Sequence, residues 1–360
     1  MSIASAADLR RLLDRHVDPL IGSGLDTAGC LADVQLAGGR GKVVIELGFP
    51  ARGYAATLAE NVRRFVAEHG GPAVDVDVRW TIRTQAVQGK LQPLPGVKNV
   101  IAVASGKGGV GKSTVSANLA LALAAEGARV GVLDADIYGP SQPRMLGSSD
   151  KPTSPDGKSM HPIEALGLQA MSIGFLIDDD QPMIWRGPMA TQALMQLVGE
   201  TRWRDLNYLV VDLPPGTGDI QLTLSQRIPV SGSIVVTTPQ DIALLDARKG
   251  LEMFKRVQVP VLGVVENMSF FCCPGCGRRT DIFGTGGGER MSRETGVELL
   301  GQVPLDPRIR EQADGGKPTV AAEPESEITA IYRDIARKAA ARLAHGGVEP
   351  AFPTIEVADD

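Results

Sequence analysis

A chain of 360 residues with 43% hydrophobic and 22% charged residues is long and apolar enough to bury a large core and to divide into two units. Its net charge of −5 gives no general attraction to nucleic acid or to an anionic membrane surface, which directs attention to protein and small-ligand partners. The opening stretch MSIASAADLRRLLDRHV lacks the apolar run of a secretory signal and no segment is long enough to span a bilayer, so a cytoplasmic location is expected, without nucleic acid or membrane as a partner.

Residues 1–84 read as a small α/β unit. AADLRRLLDRHV is helical, CLADVQLAG and GKVVIELGF are strand-like and joined by the turn GGRG, AATLAENVRRFVAEHG has helical periodicity, and AVDVDVRWTI alternates as a strand. Residues 85–97 lie in a polar stretch broken by two prolines, a linker. From 98 to 345, NVIAVAS, ARVGVLDAD, LQAMSIGF, NYLVVDLP, GSIVVTT, VPVLGVVEN and VELLGQVP are apolar on both faces, as strands covered on each side by helices must be. STVSANLALALAAEG and DIALLDARKGLEMFKRV are the clearest helices among them. The expected fold is therefore α/β, a doubly wound and mostly parallel sheet of the P-loop type preceded by the small unit. A terminal helix over ESEITAIYRDIARKAAARLAHGG and a flexible acidic tail over 346–360 complete the reading.

GKGGVGKS, from Gly106 to Ser113, follows an apolar strand and opens a helix, the setting in which such a loop cradles phosphate. Glycines let successive N–H groups turn toward phosphate oxygens, and the helix adds the positive end of its dipole. The candidate nucleotide contacts are Gly106, Lys107, Gly108, Gly109, Val110, Gly111, Lys112, Ser113 and Thr114. Lys112 is assigned to the β and γ phosphates of ATP and Ser113 to Mg2+. Asp212 ends the strand NYLVVD and is assigned to the magnesium shell; Asp136, in VLDADIYGP, is assigned to the attacking water. Asp134 is read as an organiser of its turn. Lys107 is not required by a phosphate loop. Either it is a solvated surface lysine, or it neutralises charge on the transferred phosphoryl group; if it points away from its own nucleotide, it serves one on another subunit and needs a dimer.

Four cysteines are too few for a disulfide framework, and three of them crowd into FFCCPGCG. Cys273 and Cys276 have C-x-x-C spacing, suited to one metal centre or a small disulfide loop. Zinc and cubane iron-sulfur clusters both take four ligands, and His16, His69, His161 and His345 are scattered, so one chain supplies half a site. A two-fold axis would bring two pairs together, and the same homodimer would give Lys107 its nucleotide. A zinc clip from those four thiolates and a thioredoxin-like pair are the competing readings. Cys272 is a spare or transient ligand; Cys30 is a buried core thiol.

SGKGGVGKST, DADIYGPSQPRMLG, VVDLPPGTGD, TTPQDIALLDA, ENMSFFCCPGCG, IFGTGGG and VPLDPRIRE together resemble the Mrp-type iron-sulfur cluster carrier ATPases, P-loop proteins with a two-lysine Walker A motif, over roughly residues 95–340. Residues 1–84 resemble the MIP18-type domain that often precedes them. The resemblance implies that Lys107 reaches across a nucleotide-sandwich dimer, that Asn267 lies near the adenine base, and that Cys273 and Cys276 of each subunit hold a bridging [4Fe-4S] cluster. It implies an ATPase that takes the cluster from a scaffold donor and delivers it to apo-protein acceptors. The loop GFPARGYAAT lacks the cysteine many MIP18-type domains carry there, which favours partner docking or regulation for that unit, with a purely structural appendage as the competing reading. A partitioning-type positioning ATPase shares the two-lysine loop, but it needs a basic DNA-binding or membrane-binding surface, and this chain ends acidic. A reductase resembling the nitrogenase iron protein draws its ligand cysteines from separate segments, unlike the thiols here.

Overall fold

A computed structural model describes residues 3–89, 91–177 and 187–346, so the tail expected from 346 onward lies outside the described residues except for Gly346. Helix α1 (Ala6–Leu13) begins at Ser5, whose hydroxyl accepts the Asp8 N–H while the Asp8 carboxylate accepts the Ser5 N–H, a reciprocal cap. Strands β1 (Leu31–Ala37) and β2 (Arg40–Leu47) pair antiparallel across Gly38 and Gly39, helix α2 (Ala55–Glu68) crosses over, and β3 (Ala73–Trp80) lies parallel to β2. Val43, Ile45 and Leu47 alternate along β2 toward Leu9, Leu13, Leu58 and Val62, the two-residue period of a half-buried strand.

The second sheet begins with β4 (Val97–Ser105), followed by α3 (Lys112–Ala125), β5 (Val130–Asp134), α4 (Gln142–Met145), β6 (Ile163–Ala165), β7 (Leu168–Ser172), α5 (Gly187–Glu200), β8 (Leu206–Asp212) and α6 (Asp219–Arg227). Then come β9 (Gly232–Thr237), α7 (Asp241–Arg256), β10 (Val261–Glu266), the short hairpin β11 (Phe271–Cys272) and β12 (Arg279–Thr280), α8 (Gly287–Thr295), β13 (Leu299–Gln302), α9 (Pro307–Asp314), α10 (Thr319–Ala322) and α11 (Glu327–Ala344). The order across the eight-stranded sheet is β13-β10-β9-β4-β8-β5-β7-β6, parallel throughout except that β6 runs antiparallel to β7 at one edge. The strand expected over 168–175 ends at Ser172 and turns into a 3-10 helix, because the Ser172 hydroxyl accepts the Gly174 N–H.

Alternate residues of the central strand enter opposite cores. Ile101 and Val103 join α3 and α11 on one face, whereas Val100, Ala102 and Ala104 join α5, α6 and α7 on the other. Helix α3 is buried almost all round, which explains why its sequence is Ala and Leu without an amphipathic stripe. α7 has one wet face, and Ala243, Leu244, Ala247, Leu251 and Phe254 mark its buried side at helical spacing.

The first three strands do not stand apart. Their core is continuous with the α3 and α11 face, and Phe49 packs edge-on against His345. The join centres on Glu126, the residue that closes α3, which is 0% exposed. Its Oε1 accepts from Nε of Arg333 (2.7 Å) and Arg337 (3.0 Å), its Oε2 accepts the Gly53 N–H (2.7 Å), and its carbonyl accepts the Arg52 N–H (3.0 Å). Removing one member of a buried charge cluster leaves the others uncompensated. Glu126→Ala is therefore expected to lower stability by about 3 kcal/mol, read as a fall in the urea midpoint of intrinsic fluorescence. An unchanged midpoint would contradict this assignment.

Candidate functional site

β4 stops at Ser105, and the chain makes a tight loop before α3 begins at Lys112. The loop is squeezed from both sides. A Cβ on Gly106 would come within 2.2 Å of the Asp246 carbonyl in α7, and one on Gly111, at φ +78°, within 2.3 Å of the Asn267 side-chain nitrogen. Only glycine fits either place. The loop lies at the N-terminus of a fourteen-residue helix, where unpaired N–H groups and the helix dipole favour an anion.

Lys112 is 5% exposed, and its Nζ donates to Asp212 Oδ1 at 2.5 Å and to Ser113 Oγ at 3.3 Å. Asp212, wholly buried at the end of β8, also accepts from Ser116 Oγ (3.0 Å) and, through Oδ2, from Gln142 Nε2 (3.0 Å). Gln142 reaches back to the Ser113 carbonyl at 3.1 Å. Ser116 and Gln142 are the members of this cluster that sequence reading missed.

Asp134 ends β5 and shapes the loop that follows. Its Oδ1 accepts the Asp136 N–H, and its Oδ2 accepts the N–H groups of Ser141 and Gln142 and the Ser172 hydroxyl. Burial, then the nearby charge of Asp212, pushes its carboxyl above the usual carboxylate range. Asp136 sits half-buried past the strand end, and burial also raises its pKa against the opposing pull of Lys112. It thus keeps its proton to higher pH than a surface carboxylate. Lys107 has its carbonyl fixed by the Ser105 hydroxyl at 2.9 Å, while its ammonium has no partner among the described residues.

The opposite wall runs from the loop to the cysteines. Asn267 Nδ2 donates to the Val110 carbonyl at 2.8 Å, so the residue expected near the base is attached to the phosphate loop itself. Its neighbour Glu266, 0% exposed, accepts from the Ser269 hydroxyl (2.6 Å), Gln302 Nε2 (2.9 Å) and the Gly288 N–H (2.5 Å). Met268, which follows Asn267, is held at φ +55°, a left-handed conformation that a non-glycine residue adopts only under constraint.

From Phe270 the chain enters the β11–β12 hairpin, whose Arg279 guanidinium lies 4.0 Å over the Phe270 ring. The Cys273 N–H donates to the Arg278 carbonyl, and the Cys273 carbonyl accepts the Gly277 N–H, closing a tight turn around the pair. The N–H groups of Gly275 and Cys276 and then the Cys276 thiol hold the Cys273 thiol below its ordinary pKa. Cys272 and Cys276 are exposed, and all three carry free thiols. No group of three or more His, Cys, Asp or Glu side chains among the described residues is placed to hold a metal ion. Cys30 is buried, and burial pushes its thiol up to about 11. Asp241 lies in the first turn of α7 as an ion-pair partner of Arg290 at 2.6 Å and makes no side-chain cap. Among the described residues no helix is long and apolar enough to cross a membrane.

Residues 96–340 match the family model described as NUBPL iron-transfer P-loop NTPase. An iron-sulfur cluster carrier protein of Salmonella typhimurium is 60% identical over 276 residues, 76% of this chain and 74% of that protein. One from Haemophilus influenzae is 51% identical over 341 residues, 93% of this chain and 91% of that one, a span that extends the likeness into the N-terminal unit. A nucleotide-binding protein of Archaeoglobus fulgidus, solved in complex with ADP, superposes with a TM-score of 0.56 at 36% identity, covering 65% of this chain and 91% of that one.

The squeeze at Gly111 has a measurable consequence. Gly111→Ala is expected to cost about 2 kcal/mol through the left-handed backbone and the displaced Asn267, whereas Gly108→Ala, facing open space, stays within about 0.5 kcal/mol. Thermal melts of the two variants check the contrast.

Proposed function

We propose, because this chain belongs to the NUBPL iron-transfer P-loop NTPase family, that it is an ATP-hydrolysing carrier that takes a [4Fe-4S] cluster from a scaffold donor and delivers it to apo-proteins. The observation that carries the reading is one continuous connection. Asn267 holds the phosphate loop at Val110, and six residues later the chain reaches an exposed C-x-x-C turn whose backbone N–H groups favour thiolate. Thiolate, not thiol, is the metal ligand. A pair with Cys276 exposed and Cys273 half-buried at the surface suits a cluster that must be handed on.

In this proposal the loop from Gly106 to Thr114 cradles the triphosphate, Ser113 ligates magnesium, and Asn267 lies beside the base. Lys112 exchanges its bond to Asp212 for the β and γ phosphates, and Asp212 is then released to the magnesium shell. Asp136 orients the attacking water; burial raises its pKa above that of a surface carboxylate, which makes it a better proton acceptor. The unpaired ammonium of Lys107 serves the nucleotide of a second copy, and that homodimer joins two Cys273–Cys276 pairs into four ligands. Residues 1–84 form a MIP18-type docking domain, 85–97 a linker, 98–345 the ATPase domain and 346–360 a flexible tail. The protein works in the cytoplasm.

The experiment is anaerobic reconstitution with iron and sulfide, followed by transfer to an apo-enzyme that needs a [4Fe-4S] cluster. Cys273→Ala is expected to reduce transfer at least tenfold, and Cys30→Ser to leave it intact. Equal transfer by wild type and Cys273→Ala, or stoichiometric zinc in place of iron, would sink the reading. Lys107→Ala and Lys112→Ala are each expected to abolish hydrolysis, yet an equimolar mixture recovers part of it, since a mixed dimer contains one site with both lysines. No recovery would place Lys107 outside the partner's site.

A further inference from the structure

The β11–β12 hairpin sorts its side chains onto two faces. Phe271 lies opposite Thr280 and Cys272 opposite Arg279. The Cys273 N–H donates to the Arg278 carbonyl at 3.0 Å, which carries the register one residue further and sets Cys273 opposite Arg278. Residues directly opposite in an antiparallel pair share a face, with Cβ atoms about 5 Å apart, whereas neighbours along a strand face opposite ways. One face therefore has Cys272 and Arg279, and the other has Cys273 and Arg278. Arg279 is occupied within the fold, since its guanidinium stacks 4.0 Å over the Phe270 ring and its Nε lies 3.5 Å from Asp281 Oδ1. Arg278 is exposed and has neither an ion pair nor a side-chain hydrogen bond among the described residues.

We propose that Arg278 is a positioning residue for the transferred cluster, its guanidinium supplying positive charge and N–H donors to the sulfur of Cys273 and to the cluster bound there. This deepens the carrier reading and rests on it. Charge decides what the guanidinium faces. Four thiolates around a cubane core in its common oxidised state make a dianion. The chain itself carries a net charge of −5, so its field at large does not favour such a centre. The N–H groups of Gly275 and Cys276 already turn to Cys273, but they are dipoles, and a net charge held between two protein copies needs a counter-charge. In a two-fold dimer each cysteine pair brings one Arg278, so the two guanidiniums match the dianion. Arginine suits this place because it stays protonated, sheds water more readily than an ammonium and presents several N–H donors in one plane. Charge and hydrogen bonds at the sulfurs are among the factors that set a cluster's potential.

The potential and the iron retention of the reconstituted full chain test this. Arg278→Ala is expected to move the cluster potential to more negative values, since a nearby positive charge favours the added electron, and to speed iron loss to a chelator at least threefold. Arg278→Lys is expected to recover most of the potential, and Arg279→Gln, on the other face, to leave both readouts near wild type. A further readout needs no cluster. In apo-protein carrying Cys272→Ser and Cys276→Ser, Cys273 is treated with a dianionic aromatic disulfide and with a neutral one. Arg278→Ala is expected to lower the ratio of the two rates at least threefold at low salt, a difference that shrinks as salt is raised. Unchanged potential, iron retention and rate ratio in Arg278→Ala overturn the proposal while leaving a wild-type carrier intact. So does slower transfer by Arg278→Ala at normal potential and retention, which would turn the guanidinium toward the acceptor's surface. A wild type that loads no cluster removes the carrier reading, and this proposal with it.

Discussion

The ion pair between Lys112 and Asp212 is the constraint around which the site is arranged. It joins the first residue of α3 to the last of β8, and both groups are out of water. Burying two such charges costs several kcal/mol each in desolvation, and their attraction offsets this only when the remaining lone pairs are also satisfied. Ser116 and Gln142 supply those bonds, and Gln142 is delivered by a loop that Asp134 has already shaped. Disturbing any of these residues therefore reaches the same two charges. A pair of this kind contributes little net stability, whereas breaking it by removing one partner is strongly destabilising.

Helix α3 connects this arrangement to the rest of the molecule. Its first residue carries the buried ammonium, and its closing residue, Glu126, carries the carboxylate that receives Arg333, Arg337 and the N-terminal loop. The alternation of β4 into two cores fixes the helix from the sheet side, and α11 covers it from outside. The hairpin with the cysteines hangs from the other wall, through Asn267, Glu266 and Ser269.

Much of this was legible in the chain before any coordinates. Strands apolar on both faces and the helices between them gave the parallel sheet, and the glycine spacing located the phosphate loop, because those signals are local and periodic. Gln142 and Ser116 were not legible. Glutamine and serine have no spacing rule, and their partners lie up to 96 residues away in the chain, as Ser116 does from Asp212. Nothing local in the sequence marks Glu126 as buried, because its partners Gly53, Arg333 and Arg337 lie 73, 207 and 211 residues away. The strands of the cysteine hairpin are two residues long, below what alternation can reveal.

The seam at Glu126 bears on how the molecule can be taken apart. Expressing the nucleotide-binding part alone, cut after residue 84, would strip Phe49 from His345 and the Gly53 N–H from Glu126, and would open the apolar flank of α11 to water. A fragment made that way would carry an adhesive surface of its own. Clumping or altered turnover in it would reflect that raw face before it said anything about what the missing residues contribute in the intact chain.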